Sequence, residues 1–316
     1  MIFLKKLYII KYNLVYKVQG EDITMVRKAY AKINIGLDVL RRRADGYHEV
    51  RMIMQTIGLH DELQFTRAES GITLRLNRPD LSAGADNLVY RAAELMLETY
   101  GIPQGVCITL EKNIPMAAGL AGGSADAAAT LKGLNDLFRI GATQEELRKL
   151  GVRLGADVPY CIMGGTALAE GIGEILTPLR NLPQCKVLIA KPNIDVSTAF
   201  VYRNLHVETR EYHPDVDAQL RGIAGDNLPQ VIQAMGNILE LVTIPEYPVI
   251  EEIKQTMKQA GAMNAMMSGS GPTVFGLFQD ETSMKRAYEA VCAGGLARDI
   301  VMTEFVTAEE MLQEQA

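Results

Sequence analysis

The sequence predicts an α+β fold, and three observations carry the prediction. Apolar residues alternate strictly over residues 29 to 39, the mark of a strand with one buried face. A run of small residues from 115 to 126 opens an Ala- and Leu-rich stretch without strand alternation, which reads as a helix. Beyond a proline-marked junction at 177 to 183 (Pro178, Pro183), strand and helix signals mix again through the second half. A length of 316 residues suits two domains, or one large one.

Composition narrows the function classes. Hydrophobic residues make up 48% and charged ones 22%, the balance of a soluble chain with a full core. A formal charge of −6 argues against nucleic-acid binding, which needs a concentrated basic face. The four cysteines (Cys107, Cys161, Cys185, Cys292) form no C-x-x-C pair and read as reduced thiols in a cytoplasmic protein. His48, His60, His206 and His213 lack metal-ligand spacing. Residues 1 to 24 hold no apolar run of the ~20 residues a membrane span needs, and no signal-cleavage pattern. Met25 stands just before the first clean strand, so residues 1–24 read as an extension that the fold does not require, with weak surface association as the lesser alternative.

In the first strand Ala29, Ala31, Ile33, Ile35, Leu37 and Val39 take one face, and Tyr30, Lys32, Asn34 and Asp38 the other. Lys32 and Asn34 therefore project to the same side, roughly 7 Å apart. Strand lysines are commonly solvated, so taken alone the pair reads as surface. Asp45-Gly46 is a hairpin signal, and Tyr47-His48 opens the next apolar stretch, 50 to 59. A Tyr-His pair beside a turn suits a planar ring, or is a partly buried aromatic with a solvated neighbour. Residues 72 to 76 form a strand, 87 to 100 a helix stopped by Gly101 and Pro103, and 106 to 110 the strand that leads to the small-residue loop.

That loop is Pro115-Met116-Ala117-Ala118-Gly119-Leu120-Ala121-Gly122-Gly123-Ser124-Ala125-Asp126. With so few side chains its N–H groups can close around an anion, and a helix predicted from Asp126 to about Phe138 adds the positive end of its dipole. Phosphate is the natural ligand of such a point; close packing of a tight turn is the alternative, and spacing alone does not separate the two. Neither the Walker pattern nor G-x-G-x-x-G is present, and the lack of the latter excludes a dinucleotide oxidoreductase.

Thr143 and Glu146 stand in capping-box spacing at the start of the next helix. Asp157, in Gly155-Ala156-Asp157-Val158-Pro159, falls in a loop just past that helix among small and apolar neighbours, which suggests partial burial. Residues 186 to 191 read as a buried strand, and Ser197 or Thr198 caps a helix through Tyr202. Residues 206 to 226 are polar and poorly periodic and read as a flexible connection. A helix over 249 to 260 precedes a strand at 265 to 267, then Ser268-Gly269-Ser270-Gly271-Pro272, either a hairpin turn or a second anion-contacting loop. A strand at 274 to 278, a helix at 281 to 293 and a strand at 299 to 306 complete the chain.

Three segments taken together go further: Ala31-Lys32-Ile33-Asn34 with Asp45-Gly46-Tyr47-His48, the loop at 115 to 126, and Ser268-Gly269-Ser270-Gly271-Pro272. With Gly155-Ala156-Asp157-Val158-Pro159 they resemble the galactokinase, homoserine kinase, mevalonate kinase and phosphomevalonate kinase (GHMP) superfamily over residues 25 to 306. The match is nearest the branch of the non-mevalonate isoprenoid pathway that acts on a cytidine-diphosphate methylerythritol. The resemblance implies a two-domain GHMP-kinase-like fold: an N-terminal α/β kinase domain at 25–182, a ferredoxin-like C-terminal domain at 183–316, and the active site in the cleft between. It implies a cytoplasmic enzyme, a monomer or weak homodimer, that transfers a phosphoryl group from ATP with Mg²⁺ to the C2 hydroxyl of the methylerythritol moiety. Pro115, Met116, Ala117, Ala118, Gly119, Leu120, Ala121, Gly122, Gly123 and Ser124 would wrap the phosphates. Asp157 would be the base and Lys32 its charged partner. Asn34, Tyr47 and His48 would hold the cytidine end, Tyr202 would stack on the base, and Gly269, Ser270 and Gly271 would shape the cleft. The resemblance names no metal ligand. Ala125 departs from it, standing where the family usually has a second serine.

Overall fold

The structure, a computed structural model, describes residues 17–19, 22–209 and 212–315. Its strands are β1 (Lys17–Gln19), β2 (Asp22–Arg42), β3 (His48–Ala68), β4 (Ile72–Leu76), β5 (Gly105–Glu111), β6 (Thr166–Glu170), β7 (Ile175–Pro178), β8 (Lys186–Lys191), β9 (Gly236–Asn237), β10 (Asn264–Met267), β11 (Val274–Phe278) and β12 (Asp299–Glu304). Its α-helices are α1 (Leu88–Thr99), α2 (Gly122–Leu137), α3 (Gln144–Val152), α4 (Val158–Met163), α5 (Thr198–Asn204), α6 (Val216–Ala224), α7 (Leu228–Gln233), α8 (Glu240–Glu246), α9 (Val249–Gln259), α10 (Glu281–Ala293) and α11 (Ala308–Gln315).

Two sheets organise these elements. The first runs β1-β2-β3-β5-β4, with β6 and then β7 added along β3 and the short β9 parallel to β2. The second is antiparallel in the order β10-β11-β8-β12. The chain leaves the first sheet at Pro178 and enters the second at Lys186, then returns with α6 and β9 to the first. Among the described residues no helix is long and apolar enough to cross a membrane.

The alternation in β2 is borne out: Ala29, Ala31, Ile33, Ile35, Leu37 and Val39 are all buried. Its opposite face departs from expectation. Tyr30, Lys32, Asn34 and Asp38 are buried too, none more than 6% exposed. Local alternation reports one apolar face; it does not report that polar residues are covered by distant parts of the chain. The cover over Gly36 is α6, where Gln219 Nε2 donates to the Ile35 carbonyl at 2.6 Å and a Cβ on Gly36 would overlap the Gln219 side chain. Residues 206 to 226 are therefore not a flexible connection in their described part, which holds a 3-10 turn at Val207–Thr209 and α6 capped by Asp215. The short α7, α8 and β9, and the terminal α11, also lay beyond the sequence reading.

Other elements match it. Asn87 caps α1, Ser197 caps α5, and Thr143 with Glu146 forms the capping box of α3. Asp45-Gly46 makes the β2–β3 turn, with Gly46 at φ 88°. Residues 268 to 273 form the hairpin joining β10 to β11. Helix α2 begins at Gly122, four residues before the expected Asp126, which draws two glycines and Ser124 into its first turn. Its Gly133 lies on the Phe65 ring, where a Cβ would stand 2.6 Å from Cε2. Of residues 1 to 24, positions 17–19 and 22–24 form an edge hairpin on the first sheet; the rest of the extension lies outside the described residues.

Candidate active site

The loop between β5 and α2 reverses hand at alternate residues. Ala117, Gly119 and Ala121 have φ of 49°, 71° and 57°, while Ala118 and Leu120 between them are buried and anchor the loop. Such a backbone is the material of anion-binding nests. Alanine pays about 1–2 kcal/mol for this region, so the loop stores strain of the kind found at functional sites. The loop delivers the chain to α2, whose N-cap Ala121 has no side chain to satisfy the first turn. The N–H groups of Gly122, Gly123 and Ser124 are the donors a helix start leaves free, and the dipole adds roughly half a positive charge there. Ala125 is buried in the core and does not line the cleft.

Gly119 is required by close approach. A Cβ there would lie 2.1 Å from the Ser268 carbonyl oxygen, so the loop is in backbone contact with the β10–β11 turn. Ser268 Oγ donates to the Gly119 carbonyl at 3.0 Å, and Lys32 Nζ donates to the same oxygen at 3.3 Å. Asn237 holds the turn from behind, its Nδ2 donating to the Met267 and Gly269 carbonyls at 2.9 and 2.8 Å. Because Asn237 sits on β9 beside Leu37 of β2, one short strand links the Lys32 strand to that turn. Thr198 and Ser270 share a hydroxyl contact of 2.8 Å across the cleft wall.

Lys32 is the convergence point. Its buried ammonium donates to Asn34 Oδ1 at 2.7 Å and lies 3.9 Å from Asp157 Oδ2. Asp157 is the N-cap of α4 and keeps its side chain one-third exposed to the cleft. Asp157 lies in the turn between α3 and α4, the loop in which the sequence placed it, and Pro159 and Gly164 bound the short helix that follows.

These groups line one cleft of ≈ 1170 Å³. The structure brings to it Lys32, Asn34, Tyr47, His48, every residue from Pro115 to Ser124, Asp157, Tyr202, Gly269 and Ser270. Gly271 is the exception: it backs the hairpin turn against Met267 instead of lining the cleft. Tyr47 projects at the rim, 61% exposed. The His48 and Tyr202 rings meet at 5.1 Å, tilted by 41°. Burial lowers the His48 imidazole, the Arg42 charge adds to this, and Glu208 opposes it. Burial pushes the Tyr202 phenol up.

The sequence reading missed several lining residues, among them Arg42, Asn87, Thr198, Arg203, Glu208 and the buried pair Lys112 and Asp126. Two signals were available. Asp126 stands one helical turn after Gly122, and Lys112 three residues before Pro115. Both charged residues flank a loop of mostly small and apolar residues.

Among the described residues no group of three or more His, Cys, Asp or Glu could hold a metal ion. Mg²⁺ is usually bound through one or two carboxylates with substrate phosphates and water, so such an ion needs no dedicated protein cage of that kind.

Residues 87–165 match the GHMP kinases N terminal domain, and residues 220–296 match GHMP kinases C terminal. The chain is 52% identical to the 4-diphosphocytidyl-2-C-methyl-D-erythritol kinase of Lachnospira eligens, over 89% of this chain and 98% of that protein. It is 48% identical to the enzyme of the same name from Lachnoclostridium phytofermentans, over 90% and 98%. A crystal structure of 4-(cytidine 5'-diphospho)-2C-methyl-D-erythritol kinase aligns with a TM-score of 0.76 at 38% identity, covering 89% of this chain and 99% of that one.

Proposed function

Because the chain belongs to the 4-diphosphocytidyl-2-C-methyl-D-erythritol kinase family of the GHMP kinases, and so is a kinase acting on an alcohol, we propose the reaction in detail. The cleft transfers the γ-phosphoryl group of ATP to the C2 hydroxyl of 4-(cytidine 5'-diphospho)-2-C-methyl-D-erythritol, giving the 2-phosphate. It does so as a cytoplasmic enzyme of isoprenoid precursor synthesis. The observation that carries this reading is the position of one buried ammonium. Lys32 touches the Gly119 carbonyl of the cradle and stands 3.9 Å from Asp157, so phosphate site and candidate base share a single charged neighbour.

Phosphoryl transfer asks for positioning and charge neutralisation more than covalent chemistry. The cradle and the first turn of α2 hold the phosphates. Bound Mg²⁺ supplies charge neutralisation on the phosphate oxygens. A tertiary alcohol needs a place for its proton, and Asp157 accepts it. Lys32 faces that carboxylate and the transferring group at once, and stabilises the charge that develops between them. Asn34, fully buried, fixes the Lys32 ammonium by accepting from it. Tyr47, His48 and Tyr202 form the aromatic end that receives the cytosine ring, with Gly269 and Ser270 closing the wall.

The test is a coupled ADP-release assay with the cytidine substrate, run beside Asp157→Asn. ADP release that needs the cytidine substrate, and that the variant loses, supports the reading. Release without that substrate would sink the substrate assignment, and near-normal turnover by the variant would sink the base.

A further inference from the structure

Beneath the cradle lies a buried charge cluster that the chemistry above does not use. Lys112 Nζ donates to Asp61 Oδ2 and, at 2.6 Å, to Asp126 Oδ2. All three residues are buried, Asp61 completely. A Cβ on Gly122 would come within 3.0 Å of Lys112 Nζ, so the cluster touches the first residue of α2. Asp126 follows one helical turn later and lines the cleft.

The two carboxylates are not equivalent. Besides Lys112, Asp61 accepts the backbone N–H groups of Asn113 and Ile114 on Oδ1, at 2.5 and 2.7 Å. Asp126 accepts only from Lys112, and its buried Oδ1 has no hydrogen-bond partner among the described residues. Three donors stabilise the Asp61 anion. An ionised carboxylate with an orphan buried oxygen is the one that a proton relieves. Burial raises the Asp126 carboxyl well above the ordinary carboxylate range; Lys112 opposes this and Asp61 adds to it. Burial by itself would pull the Lys112 ammonium down, but the two carboxylates outweigh it and hold it above its ordinary value. The groups facing Asp126 are thus Asp61 from β3, Lys112 from the segment after β5, and the Cys161 thiol from α4.

We propose that Asp126 is a proton-binding site coupled to the phosphate cradle, taking up one proton as a polyphosphate nucleotide binds. With both carboxylates ionised the cluster carries one net negative charge under the site where phosphates arrive. A proton from solvent on the Asp126 carboxyl, within hydrogen-bond reach of Asp61, leaves a neutral Lys112–Asp61 pair and removes that repulsion, with no covalent bond broken in the protein. This rests on the cradle holding phosphates, as proposed above. By reciprocity the nucleotide raises the proton affinity of Asp126, so nucleotide binding tightens as pH falls. Between the Asp126 titrations of the free and the bound protein, Kd weakens by up to tenfold for each unit of rising pH, the limit for one proton.

The experiment is calorimetry of Mg-ADP binding to the full chain in buffers of different ionisation heat, from mildly acidic to alkaline pH. Adenosine serves as the control without phosphates. The expected result is net uptake approaching one proton in part of that range, after correction for the nucleotide's own titration. Uptake should be absent with adenosine and in Asp126→Asn, whose Kd should be flat across the same range. If that variant does not fold, infrared difference spectra of the unmodified protein decide: a protonated-carboxyl band should grow on adding Mg-ADP. Binding without uptake, uptake unchanged in Asp126→Asn, or no such band would overturn the proposal alone. No nucleotide binding at all would overturn the phosphate cradle with it.

Discussion

Replacing Gly119 with alanine should separate folding from catalysis. At φ 71° an alanine pays about 1–2 kcal/mol for the left-handed region. Its Cβ would also stand 2.1 Å from the Ser268 carbonyl oxygen, where ordinary contact begins at 3.4 Å. The difference, 3.4 − 2.1 = 1.3 Å, must come from moving the cradle away from the β10–β11 turn. That movement breaks the hydrogen bonds from Ser268 Oγ and Lys32 Nζ to the Gly119 carbonyl, now 3.0 and 3.3 Å. A displacement of about 1 Å at a reacting centre costs about 10²-fold in rate, equivalent to about 3 kcal/mol in the barrier. Gly141→Ala is the matched control: φ is 79°, a Cβ there meets nothing within 4 Å, and the residue is not part of the cleft. The assay is coupled ADP release for kcat and both KM values, with thermal melts of each variant. Both variants should lose a few degrees in Tm, about 1.5–3 °C for 1–2 kcal/mol at an unfolding entropy of about 2.1 cal/mol/K per residue over 316 residues. Only Gly119→Ala should lose about 10²-fold or more in kcat/KM. Equal kinetics for the two variants would refute the claim that the cradle and the hairpin turn act as one surface.

Further outcomes follow from the same geometry. Asp157→Asn should bind both substrates and lose about 10²–10⁴-fold in kcat, as measured by single-turnover phosphoryl transfer. Tyr47→Ala, at the exposed rim, should raise KM for the cytidine substrate while leaving kcat within a few-fold; a fall in kcat alone would contradict a stacking role. Lys112→Met leaves two buried carboxylates without their cation and should cost about 3–5 kcal/mol at neutral pH, read by denaturant melts, with part of the loss regained on acidification as those carboxylates protonate. Burial lowers the Lys132 ammonium to about 8, with the Arg27 charge adding to this. The folded state therefore releases that proton before the unfolded chain does, and stability relative to Lys132→Met should rise between about pH 8 and about pH 10 by at most about 3 kcal/mol. A flat difference across that range would show that Lys132 titrates normally.

Much of the site was legible because its signals are local. The alternation of β2, the glycines of the cradle and the capping pair of α3 each depend on neighbours within a few residues. Helix α2 starts earlier than its composition suggested: Gly122 and Gly123 are poor helix formers, but a Cβ on Gly122 would stand 3.0 Å from Ile114 Cγ2 and Lys112 Nζ, so close packing calls for glycine there. The buried state of Lys32 and Asn34 was not legible, since their cover comes from the loop at 119 and the turn at 269, far along the chain. Nor was α6, whose short amphipathic pattern is broken by Gln219, a buried polar residue that earns its place only through the Ile35 carbonyl. The Asp61–Lys112–Asp126 cluster joins β3 to a segment 51 residues further on, so no local periodicity could announce the pairing with Asp61.

The most direct measurement of the central claim is ³¹P NMR of the reaction mixture, with the cytidine substrate labelled at C2 of its methylerythritol moiety. One phosphoryl group leaving ATP for that carbon's oxygen, at a rate abolished together by Lys32→Ala and Asp157→Asn, is the expected result. A phosphoryl group appearing elsewhere on the substrate, or persisting at C2 without either side chain, would contradict it.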